Sequence, residues 1–284
     1  MAELTFSVII PTCNRPDHLS ACLAGMADSI ATLGGGKVEV IVTDDGGGDE
    51  SKEVVAPYHE WARWVAGPRR GPAANRNSGA RHAKGKWLVY IDDDCIPKAN
   101  LLVAYAGALS DDYLVYEGKT TCEEWRNSPL ETAPTNETGG YLWSCNMVVR
   151  TDFFIEIGGF DERFPFAGGE DVEFRERLVV LSKPFKWVPE AVVDHPPRPR
   201  NLFVKAARRE ESQIPLLLLK GDKNPYRKVV PNTFIHGLRT LYHARFSTKW
   251  IVAASSLLVQ STAMLFMIPA WKRRYGFHYE HPSK

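Results

Sequence analysis

The sequence predicts an α/β fold: a mostly parallel sheet flanked by helices, followed by a helical, basic C-terminal extension. Three observations carry this. Short apolar runs alternate with helical patterns from the start of the chain, which is the rhythm of β-α-β units. The runs are almost continuously apolar, as strands covered on both faces must be. Three of them end in polar or acidic residues: "PTCNR", "DDGGG" and "DDDC". In such sheets ligands bind beyond the carboxyl ends of the strands, so these three ends are expected to converge on one crevice.

Taken in order, "FSVII" (6–10) is expected as the first strand. Residues 16–30 follow as a helix with Leu19, Cys22, Leu23, Met26 and Ile30 on one face. "GGG" (34–36) breaks the chain before "VEVIV" (38–42), the second strand. A helix over 49–59, a short strand "RWVA" (63–66), a helix over 74–83 despite Gly79, and the strand "KWLVYI" (86–91) come next. Then follow a helix over 100–109 and the strand "YLVYEG" (113–118). The rhythm changes at 119–140, read as an irregular loop. "LWSCNMVV" (142–149) returns to a strand, and helices are expected over 151–157 and about 170–181. The domain boundary is drawn at 200, giving regions 1–200 and 201–284.

At 284 residues, with 44% hydrophobic and 24% charged residues, the chain has the profile of an ordinary folded protein able to bury a core. Its net charge of +1 hides an asymmetry, since residues 201–284 carry +10 and residues 1–200 carry −9. A basic end suggests an anionic partner, such as a membrane surface, a phosphate or a nucleic acid, or else a plain solvated basic face; an anionic membrane surface is kept as the expected partner and nucleic acid is not. Cys13, Cys22, Cys95, Cys122 and Cys145 are scattered, with no C-x-x-C pair, which fits a reducing compartment and argues against a zinc site. The N-terminal residues show no basic segment followed by an apolar one, so no signal peptide is expected.

Five stretches hold residues suited to chemistry. Asp92, Asp93 and Asp94 stand in a row after a buried strand. Carboxylates so placed suit a hard divalent cation, Mg²⁺ or Mn²⁺, with substrate phosphates completing its shell. A plainer possibility is an acidic turn capping the next helix. In "VTDDGGG" (42–48), Asp44 and Asp45 leave a strand into glycines that let a ligand approach the backbone, so a carboxylate here could accept the imide N–H of a uracil or a ribose hydroxyl. Arg76 and Asn77, at the start of a helix, could contact a base or a diphosphate. Glu170 and Asp171 follow Gly168-Gly169 and open an amphipathic helix, where the dipole favours negative charge. An acid held there beside a reacting centre can act as a general base. His195, before two prolines, offers a neutral imidazole competent to bind Mn²⁺.

In this order and spacing the stretches resemble glycosyltransferase family 2, over about residues 5–200. "SVIIPTCNRPDHL" is similar to the family's first strand and loop, and "IVTDDGG" to its nucleotide-contacting turn. "NRNSGARHAKGKWLVYIDDD" resembles the stretch ending in the D-x-D motif, and "CNMVVRTDFFIEIGGFDERF" the acceptor side. "GGEDVEFRERL" resembles the segment of the catalytic base. The resemblance implies the GT-A fold and an inverting, metal-dependent transfer of sugar from a nucleotide diphosphate sugar, UDP favoured, to a glycan or lipid-linked acceptor. It implies that Asp45 binds the nucleobase, with Pro11, Thr12, Cys13 and Asn14 lining the pocket and Arg15 beside them. Asp94 would be the principal metal ligand, Asp92 or Asp93 would touch the ribose or the metal shell, and His195 would be a late metal ligand. Asp171 would be the base and Glu170 its neighbour orienting the site. Since the motif reads D-D-D, its register is open.

Two other readings compete with transfer: a sugar-phosphate nucleotidyltransferase, and a nucleotide-sugar-binding module that has lost catalysis. The first needs a Gly-rich loop that "PTCNRPD" lacks, and the retained Glu170-Asp171 pair counts against the second. Near the C-terminus, residues 250–271 run 22 positions without a charge, between Trp250 and Trp271. That length could span a bilayer, lie in its interface or be buried in a soluble oligomer. Basic residues at both ends favour an interfacial helix or a re-entrant segment, and the expected location is cytoplasmic, with the inner face of the cytoplasmic membrane as the membrane-bound option.

Overall fold

The computed structural model describes residues 5–124, 128–164, 166–199, 202–203, 210–222, 224–243 and 247–275. Parts of three sequence expectations lie outside them: residues 1–4 of the N-terminal segment, 125–127 of the irregular loop, and Arg200 at the drawn boundary. The chain forms two compact units, one of Met1–Glu124, Ala133–Pro165 and Glu170–Pro196, the other of Trp125–Thr132, Phe166–Gly169 and Pro197–Lys284.

The first unit is built on an eight-stranded sheet. Its strands are β1 (Phe6–Thr12), β2 (Val38–Asp44), β3 (Ala62–Ala66), β4 (Trp87–Ile91), β5 (Ile96–Pro97), β6 (Val115–Thr121), β8 (Asn146–Arg150) and β9 (Phe185–Asp194). They lie in the order β3-β2-β1-β4-β8-β6-β9-β5. β1, β2, β3 and β4 pair in parallel, as do β6 and β9, whereas β8 and β5 run against their neighbours. The central strands are apolar on both sides because both faces are covered. Val8, Ile10, Val89 and Ile91 face one core with Leu19, Leu23 and Met26 of α1 (Pro16–Leu33) and Leu101, Leu102 and Tyr105 of α4 (Leu101–Ala108). Ile9, Leu88 and Tyr90 face a second core with Ala73 and Ala80 of α3 (Pro72–His82) and with Phe153, Phe160 and Phe174. Gly79 is what lets α3 lie so close, since a β-carbon there would sit 2.4 Å from Ile9 Cγ2.

Three expectations need correction. The loop read over 119–140 is partly sheet, since β6 runs to Thr121 and Glu131–Thr132 forms a short strand. The helix read over 49–59 is α2 (Glu50–Val55) followed by a 3₁₀ turn (Ala56–Tyr58), because Pro57 cannot continue an α-helical ladder. The strand read from 142 begins at Asn146. The buried Glu117 carboxylate accepts the backbone N–H groups of Gly140 and Leu142 and the Asn136 amide, so this stretch is bound to a side chain and is not free to join the sheet. The unit's remaining helices are α5 (Thr151–Glu156) and α6 (Glu170–Val180).

The second unit holds a two-stranded ladder of β7 (Glu131–Thr132) and β10 (Arg198–Pro199), and the helices α7 (Gln213–Leu219), α8 (Tyr226–His243) and α9 (Thr248–Tyr275). Ile214, Val229, Val230, Met264, Trp271 and Tyr275 form its core. Glu211 anchors the end of α9 through the Tyr275 hydroxyl (3.0 Å) and Arg274. α8 and α9 fall within the helical extension expected over 201–284, and α8 carries Pro231 inside it.

Candidate active site

The carboxyl ends of β2, β1 and β4 are neighbours in the sheet, so the three polar strand ends meet. Asn75 of α3 fastens two of them, its amide donating to the carbonyls of Thr12 (3.3 Å) and Thr43 (2.9 Å). After β4 the chain turns sharply, with the Cys95 N–H donating to the Asp92 carbonyl at 3.1 Å. That turn fans the three aspartates apart, which is how three adjacent like charges are accommodated.

Each aspartate meets a different partner. Asp92 pairs with Arg76 at 2.5 Å, and the other arm of Arg76 reaches Glu170 at 3.0 Å. This buried guanidinium therefore ties the strand-end acids to the first turn of α6. Asp93 is fully buried, accepting a hydrogen bond from the Thr12 hydroxyl (2.7 Å) and pairing with Arg15 (2.5 Å). Burial pushes its carboxyl up to about 7; Asp94 and Asp92 add to the rise while Arg15 and Thr12 oppose it. Asp94 pairs with Arg15 through Oδ2 (2.9 Å) and faces His195 Nε2 through Oδ1 (3.4 Å).

His195 is placed by strand β9, its backbone N–H donating to Thr121 O at 2.8 Å. Its Nδ1 lies 3.0 Å from Pro196 O. An Nδ1–H donated to that carbonyl leaves the Nε2 lone pair pointing at Asp94, the tautomer a metal-ligating histidine needs. Nε2 is buried and makes no hydrogen bond. Ligand atoms of Asp94, Cys95 and His195 lie within 4.8 Å of one another. A carboxylate and a neutral imidazole at this separation fit a divalent cation. The Cys95 thiol is held well above its ordinary pKa, chiefly by burial, and stays protonated. Sequence reasoning passed over Cys95, although it abuts Asp94 in "DDDC".

The other predicted residues fall around this centre. Asp171 opens α6 beside Glu170, its Oδ1 accepting the Val172 N–H at 2.8 Å. Asp44 is buried, accepting from Gly46 N (2.7 Å) and Trp64 Nε1 (3.3 Å). Asp45 accepts the N–H groups of Arg69 (2.9 Å) and Gly71 (3.1 Å), so it shapes the loop before α3. Pro11 lies within β1 opposite Thr43, Cys13 is exposed, and Asn14 adopts a left-handed φ of 53° at the following bend. Asn77 turns away from the aspartates: its amide donates to Phe160 O (2.8 Å) and Glu162 (3.1 Å) and accepts from Phe160 N (2.9 Å). Gly159 makes room for it, as a β-carbon there would stand 2.6 Å from Asn77 Oδ1.

The sequence matches the family described as glycosyl transferase family 2 over residues 7–156, more than half of the chain. The chain belongs to glycosyl transferase family 2. Residues 135–189 also match the N-terminal domain of galactosyltransferase. Among curated relatives, glycosyltransferase AglE of Haloferax volcanii is 24% identical, covering 78% of this chain and 77% of its own length. The pre-mycofactocin glycosyltransferase of Mycobacterium tuberculosis is 26% identical over 76% of this chain, and the chondroitin synthase of Pasteurella multocida 27% identical over 81%. The chain spans 48% and 28% of those two longer proteins. Among solved structures, TarS 1-349 of S. aureus superposes with a TM-score of 0.58 at 17% identity, covering 97% of this chain and 73% of that one. The mannosyltransferase PcManGT of Pyrobaculum calidifontis, solved with GDP-Man and Mn²⁺, gives 0.51 at 16% identity, covering 93% and 75%. The fold is GT-A, and this family 2 member is a glycosyltransferase whose donor class is a nucleotide sugar.

Proposed function

We propose that the protein transfers a sugar from a nucleotide diphosphate sugar, with UDP favoured, to an acceptor hydroxyl with inversion at the anomeric carbon. The observation that carries this is the Arg76 brace. By holding Asp92 at 2.5 Å and Glu170 at 3.0 Å, it fixes the acidic first turn of α6 beside the strand-end acids. Asp171 then takes the proton of the acceptor hydroxyl. The acceptor oxygen forms a bond to the anomeric carbon, and the bond from that carbon to the diphosphate oxygen breaks, its electron pair leaving with the nucleotide. Glu170 and Arg76 hold the base in position, and alignment of donor and acceptor supplies much of the acceleration.

Asp94 and His195 would hold Mn²⁺ or Mg²⁺, with Asp92 in its outer shell and Asp93 behind. Such a cation, when bound, offsets charge growing on the leaving diphosphate. The imidazole favours Mn²⁺ over Mg²⁺, which prefers oxygen ligands. Asp45, Asp44, Pro11, Thr12, Cys13, Asn14 and Arg15 line the side for nucleobase and ribose, and Arg76 lies toward the diphosphate. The catalytic domain is taken as residues 1–200 and the helical region as 201–284. A glycan or lipid-linked acceptor, met at the inner face of the cytoplasmic membrane during surface polysaccharide or glycoconjugate synthesis, is supported by the basic C-terminal helices and by relatives named for polysaccharide synthesis.

Asp171→Asn should cut UDP release from UDP-sugars, measured with Mn²⁺ across an acceptor panel, by about 100-fold or more, while donor binding followed by calorimetry persists. Undiminished turnover in Asp171→Asn would remove the base assignment.

A further inference from the structure

The second unit contains a surface on which the proposed chemistry places no residue. Helices α8 and α9 pack on each other through Val229, Val230 and Met264, and Gly237 allows the close approach, since a β-carbon there would meet Leu258 Cδ2 at 3.0 Å. Away from this core the pair remains apolar. Phe234, Leu238 and Leu241 are exposed at helical spacing on α8, and Val259 and Phe266 are exposed seven residues apart on α9. Between the helices, an open cleft of about 490 Å³ is lined by Phe234, Leu238, Leu258, Val259, Ala263 and Phe266, with Thr262 alone polar. An apolar surface this continuous marks a site of interaction.

Charge selects the partner. Neither helix contains an Asp or Glu. Arg227 and Arg239 of α8 and Lys249, Lys272 and Arg273 of α9 are exposed, as are Lys228 and Arg274, which pair with Asp222 and Glu211. Exposed apolar side chains combined with exclusively basic charge complement a surface that is apolar inside and anionic at its rim. The two-sidedness of α9 decides its orientation. Ser256, Gln260 and Ser261 are buried, with Gln260 donating to Glu210 at 3.3 Å. A helix with one face committed to protein and the other exposed and apolar suits the plane of an interface.

We infer that α8 and α9 dock side by side in the surface of an anionic phospholipid bilayer. Phe234, Leu238, Val259 and Phe266 enter the acyl region, the cleft receives a lipid chain, and the basic residues meet headgroup phosphates. This names the partner of the C-terminal helices and rests on the proposed function only for what an acceptor would gain from the location.

The test floats the full chain with vesicles of phosphatidylcholine alone or mixed with phosphatidylglycerol, without donor. Binding should require phosphatidylglycerol, weaken in high salt, and be released by carbonate. Phe234→Ser/Phe266→Ser and Lys272→Glu/Arg273→Glu should each lower vesicle affinity about tenfold or more, with circular dichroism unchanged since all four side chains are exposed. Three results would overturn the inference: no flotation on either vesicle, flotation that resists carbonate as a spanning helix would, or a dimer in sedimentation that the Phe variants dissolve without any vesicle binding by the parent. Turnover of UDP-sugars with a water-soluble acceptor, run in parallel, judges the transfer chemistry separately.

Discussion

Two arginines brace the same row of aspartates, and they do so on different terms. Arg76 comes from α3, is 4% exposed, and is shared between Asp92 and Glu170. Arg15 comes from the loop after β1, is 40% exposed, and is shared between Asp93 and Asp94. The first cannot leave without stranding charges inside the protein. The second can swing into water and give up Asp94, the carboxylate that faces His195. One end of the row is thus fixed to α6, and the other is exchangeable.

The largest effect should come from the fixed end. Replacing Arg76 with Leu removes the guanidinium shared by Glu170 and Asp92, and breaking a buried pair from one side costs about 3–5 kcal/mol. Urea unfolding should show that loss. Arg76→Lys should recover only part of it, because one ammonium cannot fork to two carboxylates as a guanidinium does. If Arg76→Leu were as stable as the parent, the brace would be incidental and the position of α6 would need another cause.

A smaller effect should appear in pH dependence. Asp93 has its carboxyl raised from 3.8 to about 7, first by burial. The folded protein therefore keeps a proton between about pH 4 and 7 that the unfolded chain has released. Stability contributed by Asp93 is complete below that window and is lost as pH rises through about 7, with a slope of at most about 1.4 kcal/mol per pH unit. Metal-free Asp93→Asn should lack this component of the slope in unfolding curves taken from pH 5 to 8. An unchanged slope would place the proton elsewhere.

Much of this site was legible because strand ends are. An apolar run followed by acids locates the carboxylates at the sheet edge, and parallel order then brings the ends of β1, β2 and β4 together. His195 was legible as a lone imidazole after an apolar strand. What the sequence did not show is which way each side chain turns. Asp45 and Asn77 engage backbone groups at 69–71 and 160, and those positions exist only once the loops are packed. Glu117 went unremarked inside a strand, yet it organises 136–142 and displaces the expected start of β8. Arg15 looked like a loop residue beside a base pocket. That it reaches acids 78 and 79 positions away follows from β1 and β4 being neighbours.

The exchangeable end gives the smallest change in stability and the sharpest test of the contrast. Arg15→Gln removes a partly exposed ion pair, so metal-free stability should fall by about 1 kcal/mol or less, well below the cost at Arg76. Its effect on cation binding should have the opposite sign. Arg15 occupies Asp94 Oδ2, an oxygen of the carboxylate a divalent ion would use, so the guanidinium and the ion compete for one group. With the competitor gone, Mn²⁺ measured by calorimetry should bind about tenfold more tightly, equivalent to about 1.4 kcal/mol. Arg15→Lys should lie between, because it keeps the charge and loses the second contact. Asp94→Asn should abolish binding in every background. Were Arg15→Gln to weaken Mn²⁺ binding, the arginine would be supporting the site from outside it, and the two ends of the acid row would be braces of one kind.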